Sequence, residues 1–513
     1  MSCLKSGTLI LLTLASATLA SHADVKVPAI FSDHMVLQRE QANPVWGLAD
    51  PGEKVTVTID TQSKTTTADA NGNWKVKIDP LEVGGPYTLT VKGNNTLTFD
   101  DVLVGEVWIC SGQSNMQWSL MNTNFGPLEI ASANYPEIRL ITVPMKGTQE
   151  PQFTFDGQWQ VCSPQTVPEF SAVGYLFGQR LYNTLGVPIG LIDNAWGGSS
   201  VEGWIPPEKF DVDEYHANYL KDWQDRMANY TDADYQQELD KWLAAAAQWK
   251  ANGSQGRAPR KPVDPRTDKH RPGNIYYGEL LPTVGYGIRG VIWYQGESNA
   301  GRAYRYRTSF PLMIETWREL WDQGDFPFYW VQLADFRDET DQPGDSNWAE
   351  LREAQTMTLD LPNTGQAVII DVGEGRDIHP RNKQVVANRL AMLALTNDYG
   401  YDFAAESPVY ESMEVKEDGK VLLTFDNIDQ GLYTFDVNEP IGFSIAGEDQ
   451  QFVWAKGKLV GKNQIEVWSD EVSEPVAVRY GWADNPVVNV QDRNGLPLTP
   501  FRTDDWVITT QDK

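Results

Sequence analysis

Ser114, His379 and Asp377 are the side chains of this 513-residue chain best suited to acyl transfer. Ser114 lies in Gly112-Gln113-Ser114-Asn115-Met116, directly after the apolar run 102–110. A buried strand that feeds a glycine turn presents a hydroxyl at a fixed place, as many hydrolases do with a nucleophile. The segment differs from a G-x-S-x-G elbow because Met116 stands at the second glycine. A nucleophilic serine needs a base, and the chain has five histidines. His22 falls in an N-terminal leader, His34 in a β-rich segment, His216 in a helical one and His270 in a Pro- and charge-rich loop. Only His379 follows a strand of the α/β part, expected over residues 367–370. In Asp377-Ile378-His379-Pro380 a carboxylate two residues away can orient the ring and stabilise its cation. Elimination leaves His379 as the general base.

Acyl transfer also needs N–H donors aimed at the oxygen that becomes negative. Two loops qualify. Asn194-Ala195-Trp196-Gly197-Gly198-Ser199-Ser200 follows the apolar stretch ending at Ile192, and its paired glycines permit a close backbone approach. Gln295-Gly296-Glu297-Ser298-Asn299 follows the stretch ending at Tyr294 and offers side-chain amides. Either loop alone reads as a plain strand-to-helix turn. All four segments, however, follow strands of one expected sheet, and open α/β sheets bind ligands along that rim.

Those strands imply a parallel sheet. From about residue 101, apolar stretches alternate with helical patterns, as βαβ units require. Strands are expected at 138–141, 188–192, 287–294, 328–333 and 367–370, and a helix at 172–185. Together they predict a three-layer α/β domain in two parts, 101–206 and 273–403. Between the parts, residues 207–272 are polar and helical. Tyr219, Trp223 and Met227 recur at i+4, Trp242 and Trp249 belong to a second stripe, and Thr231 with Asp234 forms a cap. This is a helical insertion near the site's rim. Residues 24–100 carry short alternating stretches such as 54–59 and 74–78 with an Asn71-Gly72-Asn73 turn. The same texture returns over 404–513, so a β-sandwich is expected at each end.

Residues 1–23 read as a secretory signal, with Lys5, an apolar core at 9–15 and small residues at Ala20 and Ala23. A secreted or periplasmic protein is expected. Lys plus Arg number 42 against 70 Asp plus Glu, and 42 minus 70 gives a formal net charge of −28. So acidic a chain excludes nucleic acid and anionic membrane surfaces as natural partners, because both attract basic patches. After the leader no segment is apolar enough to span a bilayer. Cys110 and Cys162 remain once the leader with Cys3 is removed. Two cysteines do not make a disulfide framework. Without a CxxC or a histidine cluster, no metal site or cofactor is expected.

The ordered motifs together resemble the sialate O-acetylesterase-like branch of the SGNH (GDSL-type) hydrolases. They are Phe31-Ser32-Asp33-His34-Met35-Val36-Leu37-Gln38, Gly112-Gln113-Ser114-Asn115-Met116, Trp196-Gly197-Gly198-Ser199, Trp293-Tyr294-Gln295-Gly296-Glu297-Ser298-Asn299, Trp348-Ala349-Glu350-Leu351-Arg352 and Asp377-Ile378-His379-Pro380. The resemblance implies Ser114 as nucleophile, His379 as base and Asp377 as orienting acid. It implies oxyanion donors at the Ser114 amide, the Gly197 or Gly198 amide, and a side-chain amide of the third block. Two departures from the wider SGNH pattern leave alternatives. The usual G-x-N-D block is replaced by Gln295-Gly296-Glu297-Ser298-Asn299, so either Gln295 or Asn299 supplies that amide, Gln295 being nearer the strand end. The last block is Asp-x-His rather than Asp-x-x-His, which leaves Asp371 as the alternative acid. Gln113, Asn115, Trp196 and Glu297, within these blocks, are expected to face substrate.

The implied activity is hydrolysis of O-acetyl groups on a sugar or glycan through an acetyl-serine. Sialic acid would call for an arginine at its carboxylate, and Arg302, Arg305, Arg307 and Arg376 stand near the blocks. A neutral acetylated polysaccharide such as xylan or xyloglucan suits a secreted chain with 19 Trp equally well. The rival class is a non-catalytic carbohydrate-binding protein, but an inactive centre would have lost the serine or the histidine.

Overall fold

The computed structural model describes residues 24–512, so the leader expected over residues 1–23 lies outside the described residues. The central sheet contains β1 (Thr96–Gly112), β2 (Tyr135–Thr142), β3 (Gln160–Cys162), β4 (Ile189–Asp193), β5 (Gly290–Tyr294), β6 (Phe328–Val331) and β7 (Thr364–Ala367). Their order is β7-β6-β5-β1-β4-β2-β3. All pairs are parallel except β2 with β3. The helices that matter for the site are α1 (Ser114–Gln117), α2 (Ala172–Leu185), α3 (Glu214–Ala228), α4 (Asp232–Ala251), α5 (Ala303–Trp321), α6 (Asn347–Met357) and α7 (Lys383–Tyr399).

The sequence of β1 explains its central place. Its first six residues alternate towards solvent, whereas residues 102–112 are buried without a break. Unbroken burial is what a strand covered on both faces needs. Val107 and Ile109 enter one apolar cluster, shared with Phe310, Met313 and Trp317 of α5 and Leu351 of α6. Trp108 and Cys110 enter the other, shared with Val173 and Phe177 of α2 and Val386 and Leu390 of α7. Helices therefore cover both faces of the sheet. Cys110 and Cys162 are buried free thiols.

β1 is also where one sequence expectation changes. Its first half pairs with the N-terminal strand Gly84–Lys92, so a single 17-residue strand serves both the N-terminal and the central sheet. The boundary expected at 100/101 falls inside it, because the backbone ladder continues where the side-chain pattern shifts. The strand expected at 367–370 is displaced too. Pairing with β6 covers Thr364–Ala367, and Val368, Ile369 and Ile370 are buried beyond the ladder.

The inserted segment folds as the α3–α4 pair, and Thr231 with Asp234 forms a reciprocal capping box at the start of α4. No residue of α4 is buried. Its Trp242 and Trp249 donate indole N–H groups to the carbonyls of Pro259 and Gly256. The second aromatic stripe thus packs on its own return loop. Beyond α7, the chain forms additional β-sheets around Leu423, Phe443, Ile465 and Tyr480. Among the described residues no helix is long and apolar enough to cross a membrane.

Candidate active site

β1 ends at Gly112, whose φ is +132° and where a Cβ would stand 2.3 Å from the Tyr294 carbonyl oxygen. Only glycine lets the turn pass so close to β5. The next residue, Gln113, donates its N–H to Tyr294 O at 2.9 Å, and Ser114 opens the single turn α1. Ser171, the cap of α2, donates its hydroxyl to Met116 O at 2.6 Å and so ties that helix to the same turn.

The structure brings Ser114 and His379 together. Ser114 Oγ lies 2.9 Å from His379 Nε2. Asp377 Oδ1 accepts the His379 backbone N–H at 3.0 Å and faces the ring Nδ1 at 3.2 Å. The indole of Trp118 stacks on the imidazole, with centroids 4.9 Å apart and planes 19° off parallel. The ring is thus held by a carboxylate at its edge and an indole on its face. The loop beyond it is anchored at Arg381, whose guanidinium pairs with Asp377 and Glu374 and whose carbonyl accepts from Asn124 N–H and the Thr123 hydroxyl. Asp371 is engaged by Arg389 in a two-pronged contact at 2.6 and 2.7 Å. The alternative orienting acid is therefore committed to another partner.

Burial holds the His379 pKa below its ordinary 6.5; Asp377 opposes this and the Lys383 charge adds to it. The imidazole is neutral at pH 7 and free to take a proton. Burial pushes the Asp377 carboxyl up, but the hydrogen bonds from His379 and the charge of Arg381 leave it below its usual value.

The loop 194–200 lies with its backbone against Ser114. A Cβ on Gly197 would be 3.3 Å from the Ser114 Cβ. Gly197 N–H donates to Gln117 Oε1 at 2.8 Å, and Trp196 N–H donates to Gly112 O at 3.0 Å. Gly198 has φ +72°. Among the described residues, the N–H groups of Ser114 and Gly198 have no acceptor. Gln113 Oε1 accepts from the N–H groups of Gly296 and Ser298 at 3.4 and 3.3 Å, joining the nucleophile turn to the next loop. Trp196 is half-buried.

The loop 295–299 turns its amides inward. Gln295 Nε2 donates to Ser199 O at 3.1 Å and Asn299 Oδ1 at 2.8 Å, and its Oε1 accepts from the Tyr306 hydroxyl at 2.9 Å. Asn299 Nδ2 donates to both Glu202 oxygens at 3.1 and 3.0 Å, and its Oδ1 also accepts Val201 N–H at 3.0 Å. A primary amide has two N–H groups to give; both of those on Gln295 go to separate protein carbonyl oxygens, and Asn299 Nδ2 faces the Glu202 carboxylate. Of the two residues expected to complete the oxyanion hole, Gln295 gives both N–H groups to the neighbouring loop and its own, and Asn299 is bonded to Glu202 and Val201 in the same network. Asn115 and Glu297, expected to face substrate, bond one another. Asn115 is buried, with Nδ2 on Glu297 Oε1 at 2.6 Å and Ile378 O at 3.0 Å, and its Oδ1 on Lys383 Nζ at 2.6 Å. Glu297 is partly buried, and the pair meets the His379 loop at Ile378 O.

Lys383 was invisible as a functional residue in the sequence. It is fully buried at the first position of α7, where the positive end of the helix dipole disfavours a cation. Burial pulls its pKa down to about 7, with Glu297 opposing. Its Nζ lies 5.0 Å from the centre of the Tyr294 ring. The available signal was a lysine four residues after His379 at the start of an apolar helix. Trp118, Gln117 and Lys269, which also contact the site, had no such signal. Among the four arginines considered for a substrate carboxylate, Arg302 pairs with Glu202 and Arg307 with Glu353. Arg305 packs on Tyr215 and donates to Gln511 O. Arg376 is exposed beside Asp377.

Relatives of this chain identify its family. The family described as "Carbohydrate esterase, sialic acid-specific acetylesterase" matches residues 273–391, which include the bracing loop and His379. Sialate O-acetylesterase of Homo sapiens is 30% identical over 521 residues, covering 92% of this chain and 91% of the human protein. The chain belongs to the sialate O-acetylesterase family. Sialate O-acetylesterase of Rattus norvegicus is 30% identical over 462 residues, 82% of each chain. The crystal structure of a carbohydrate acetylesterase from Xanthomonas citri superposes with a TM-score of 0.80 at 37% identity, covering 94% of this chain and 100% of that one. The likeness therefore runs through the terminal β regions as well as the central sheet. As a member of this family the protein is a carbohydrate O-acetylesterase.

Proposed function

We propose that the protein is a secreted or periplasmic serine esterase of the SGNH type that removes O-acetyl groups from sugars through an acetyl-serine intermediate. The observation that carries this reading is the 2.9 Å contact between Ser114 Oγ and His379 Nε2. In acylation, His379 Nε2 takes the Ser114 proton while Oγ attacks the acetyl carbonyl carbon. The carbonyl oxygen becomes an oxyanion and rests on the N–H groups of Ser114 and Gly198. Asp377 steadies the imidazolium. The imidazolium then gives its proton to the departing sugar oxygen as the C–O bond breaks, leaving a free sugar hydroxyl and acetyl-Ser114. In deacylation His379 takes a proton from water, whose oxygen attacks the same carbon, and returns it to Ser114 Oγ as acetate leaves.

For a sialic acid, Arg376 is the exposed one of the four arginines, and it supports a carboxylated substrate. Commitment of the other three supports a second reading, a neutral acetylated glycan. The test is acetate release from O-acetylated sialic acid, xylo-oligosaccharides and xyloglucan by the full chain and by Ser114→Ala. Acetate is expected from at least one substrate with the native chain and none above background with the variant. Equal rates for the two proteins would sink the nucleophile assignment.

A further inference from the structure

We infer that Lys269, on the return segment of the helical insertion, is a positioning residue that fixes the Gly197–Gly198 peptide so that the Gly198 N–H faces the developing oxyanion. The inference rests on the acetyl-serine reading above. Lys269 Nζ donates to Gly197 O at 2.5 Å. A trans peptide is planar, so its carbonyl and the following N–H point in opposite directions. An ammonium holding the carbonyl on one side therefore aims the Gly198 N–H to the other. A peptide between two glycines lacks the Cβ atoms that would resist rotation, so an external hold is needed. Gln117 Oε1 supplies the second point by accepting Gly197 N–H at 2.8 Å. A cation on the carbonyl also polarises the amide, which strengthens the N–H as a donor.

The placement of Lys269 is built into the fold. A Cβ on Gly198 would stand 2.8 Å from its Nζ, and one on Gly203 would stand 2.3 Å from its carbonyl oxygen. Two glycines thus make room for this one side chain and its backbone. Asn274 Nδ2 donates to the carbonyls of Arg266 and Asp268 at 3.0 and 2.8 Å. The Tyr219 hydroxyl of α3 donates to His270 O at 3.2 Å. Lys269 is half-buried, and among the described residues no carboxylate forms an ion pair with it. Its positive charge is therefore directed at the peptide. The insertion thereby gains a part in catalysis, since α3 holds the segment that holds the oxyanion loop.

The test compares the full chain with Lys269→Met and Lys269→Arg on a neutral aryl acetate and on a carboxylated acetyl ester. With Lys269→Met, kcat is expected to fall about 10- to 100-fold on both substrates, somewhat less than complete loss of an oxyanion donor. KM should stay within about two-fold, because the lost interaction is made in the transition state. Lys269→Arg, which keeps a cationic donor, should recover most of the rate, and the melting temperature should not move. An unchanged kcat overturns the inference. So does a loss confined to the carboxylated ester and expressed in KM, which would make Lys269 a reader of substrate charge. Should Lys269→Met fail to fold, Lys269→Gln reads the same split. A native chain without esterase activity would sink the functional reading itself, a result distinct from an active native chain indifferent to Lys269.

Discussion

The loops 194–200 and 295–299 follow the two strands that flank β1, and both pass close to the nucleophile turn. They nonetheless do opposite things. The first sets the backbone of its paired glycines at Ser114, leaving the Gly198 N–H without an acceptor among the described residues. The second sends its amides into a buried network in which Gln295 holds Ser199 O and Asn299 holds Val201 N–H. The chemistry-facing loop is therefore mounted on the bracing loop. A backbone donor gains its accuracy from what is fixed behind it, and here that support is a network of hydrogen-bonded buried amides. Changes in the bracing loop should act on stability, and changes in the facing loop should act on rate.

The largest expected effect lies in the bracing network. Glu202 is buried and accepts from Asn299 and Arg302. Burial pushes its carboxyl up, but Arg302 and Asn299 outweigh that and leave it below its ordinary 4.5. A carboxyl with a depressed folded pKa contributes stability above its unfolded value and loses it as pH falls. Arg302→Met strands the charge, and breaking a buried pair costs about 3–5 kcal/mol. The loss in melting temperature should be greatest near pH 7 and shrink towards pH 4, where the stranded carboxyl is protonated. The fraction that remains folded should keep its kcat. A large fall in kcat with an unchanged melting temperature would break the division between the two loops.

A matched pair of substitutions sharpens the division. Gln295→Leu leaves the Tyr306 hydroxyl and Ser199 O without their partner, which costs about 1–3 kcal/mol for buried polar groups. Its kcat should change by only a few-fold. Gly198→Ala sets a side chain at φ +72° against Lys269 Nζ. That backbone strain costs about 1–2 kcal/mol, and the displaced N–H should also lower kcat. Denaturant midpoints and steady-state kinetics on one neutral acetate would separate the two. If Gln295→Leu instead loses kcat as steeply as Gly198→Ala, with stability intact, its amide works at the reacting oxygen after all.

The meeting of Ser114 with His379 could be read from the chain because scarcity made it so. Five histidines and strand ends with turn residues left one base for Ser114. The central strands and the capping box at Thr231 were legible for a related reason: hydrophobic period and caps are local signals. What could not be read was the direction of a side chain. Gln295, Asn299, Asn115 and Glu297 stand in motif blocks that border the site, and nothing in a linear chain says whether an amide points at substrate or away from it. The partners that decide it, Tyr306, Glu202 and Lys383, are distant in sequence or sit on another element. Lys269 was hidden for the same reason, since its contact with Gly197 spans 72 residues. The 100/101 boundary failed differently. A change in burial pattern marks where a strand enters the core, and β1 makes that change without ending.

The smallest expected effect concerns the layer behind the pair, where Lys383 bonds Asn115 and Asn115 bonds the carbonyl of Ile378, next to His379. His379 must be neutral to take the Ser114 proton, so kcat/KM falls as pH drops through its pKa in the free enzyme. Burial holds that pKa below 6.5, and the Lys383 charge lowers it further. Lys383→Met keeps the volume and the burial but removes the cation. The His379 pKa should then rise, and the acid limb of kcat/KM should move to higher pH. Asn115 Oδ1 loses its donor, so a modest loss of stability accompanies the shift. A limb that stays in place while stability falls would show that Lys383 braces the fold without touching the proton affinity of the base. A limb that moves to lower pH would show that the lost contact has opened His379 to a different partner, with Asn115 no longer fixing the loop that carries it.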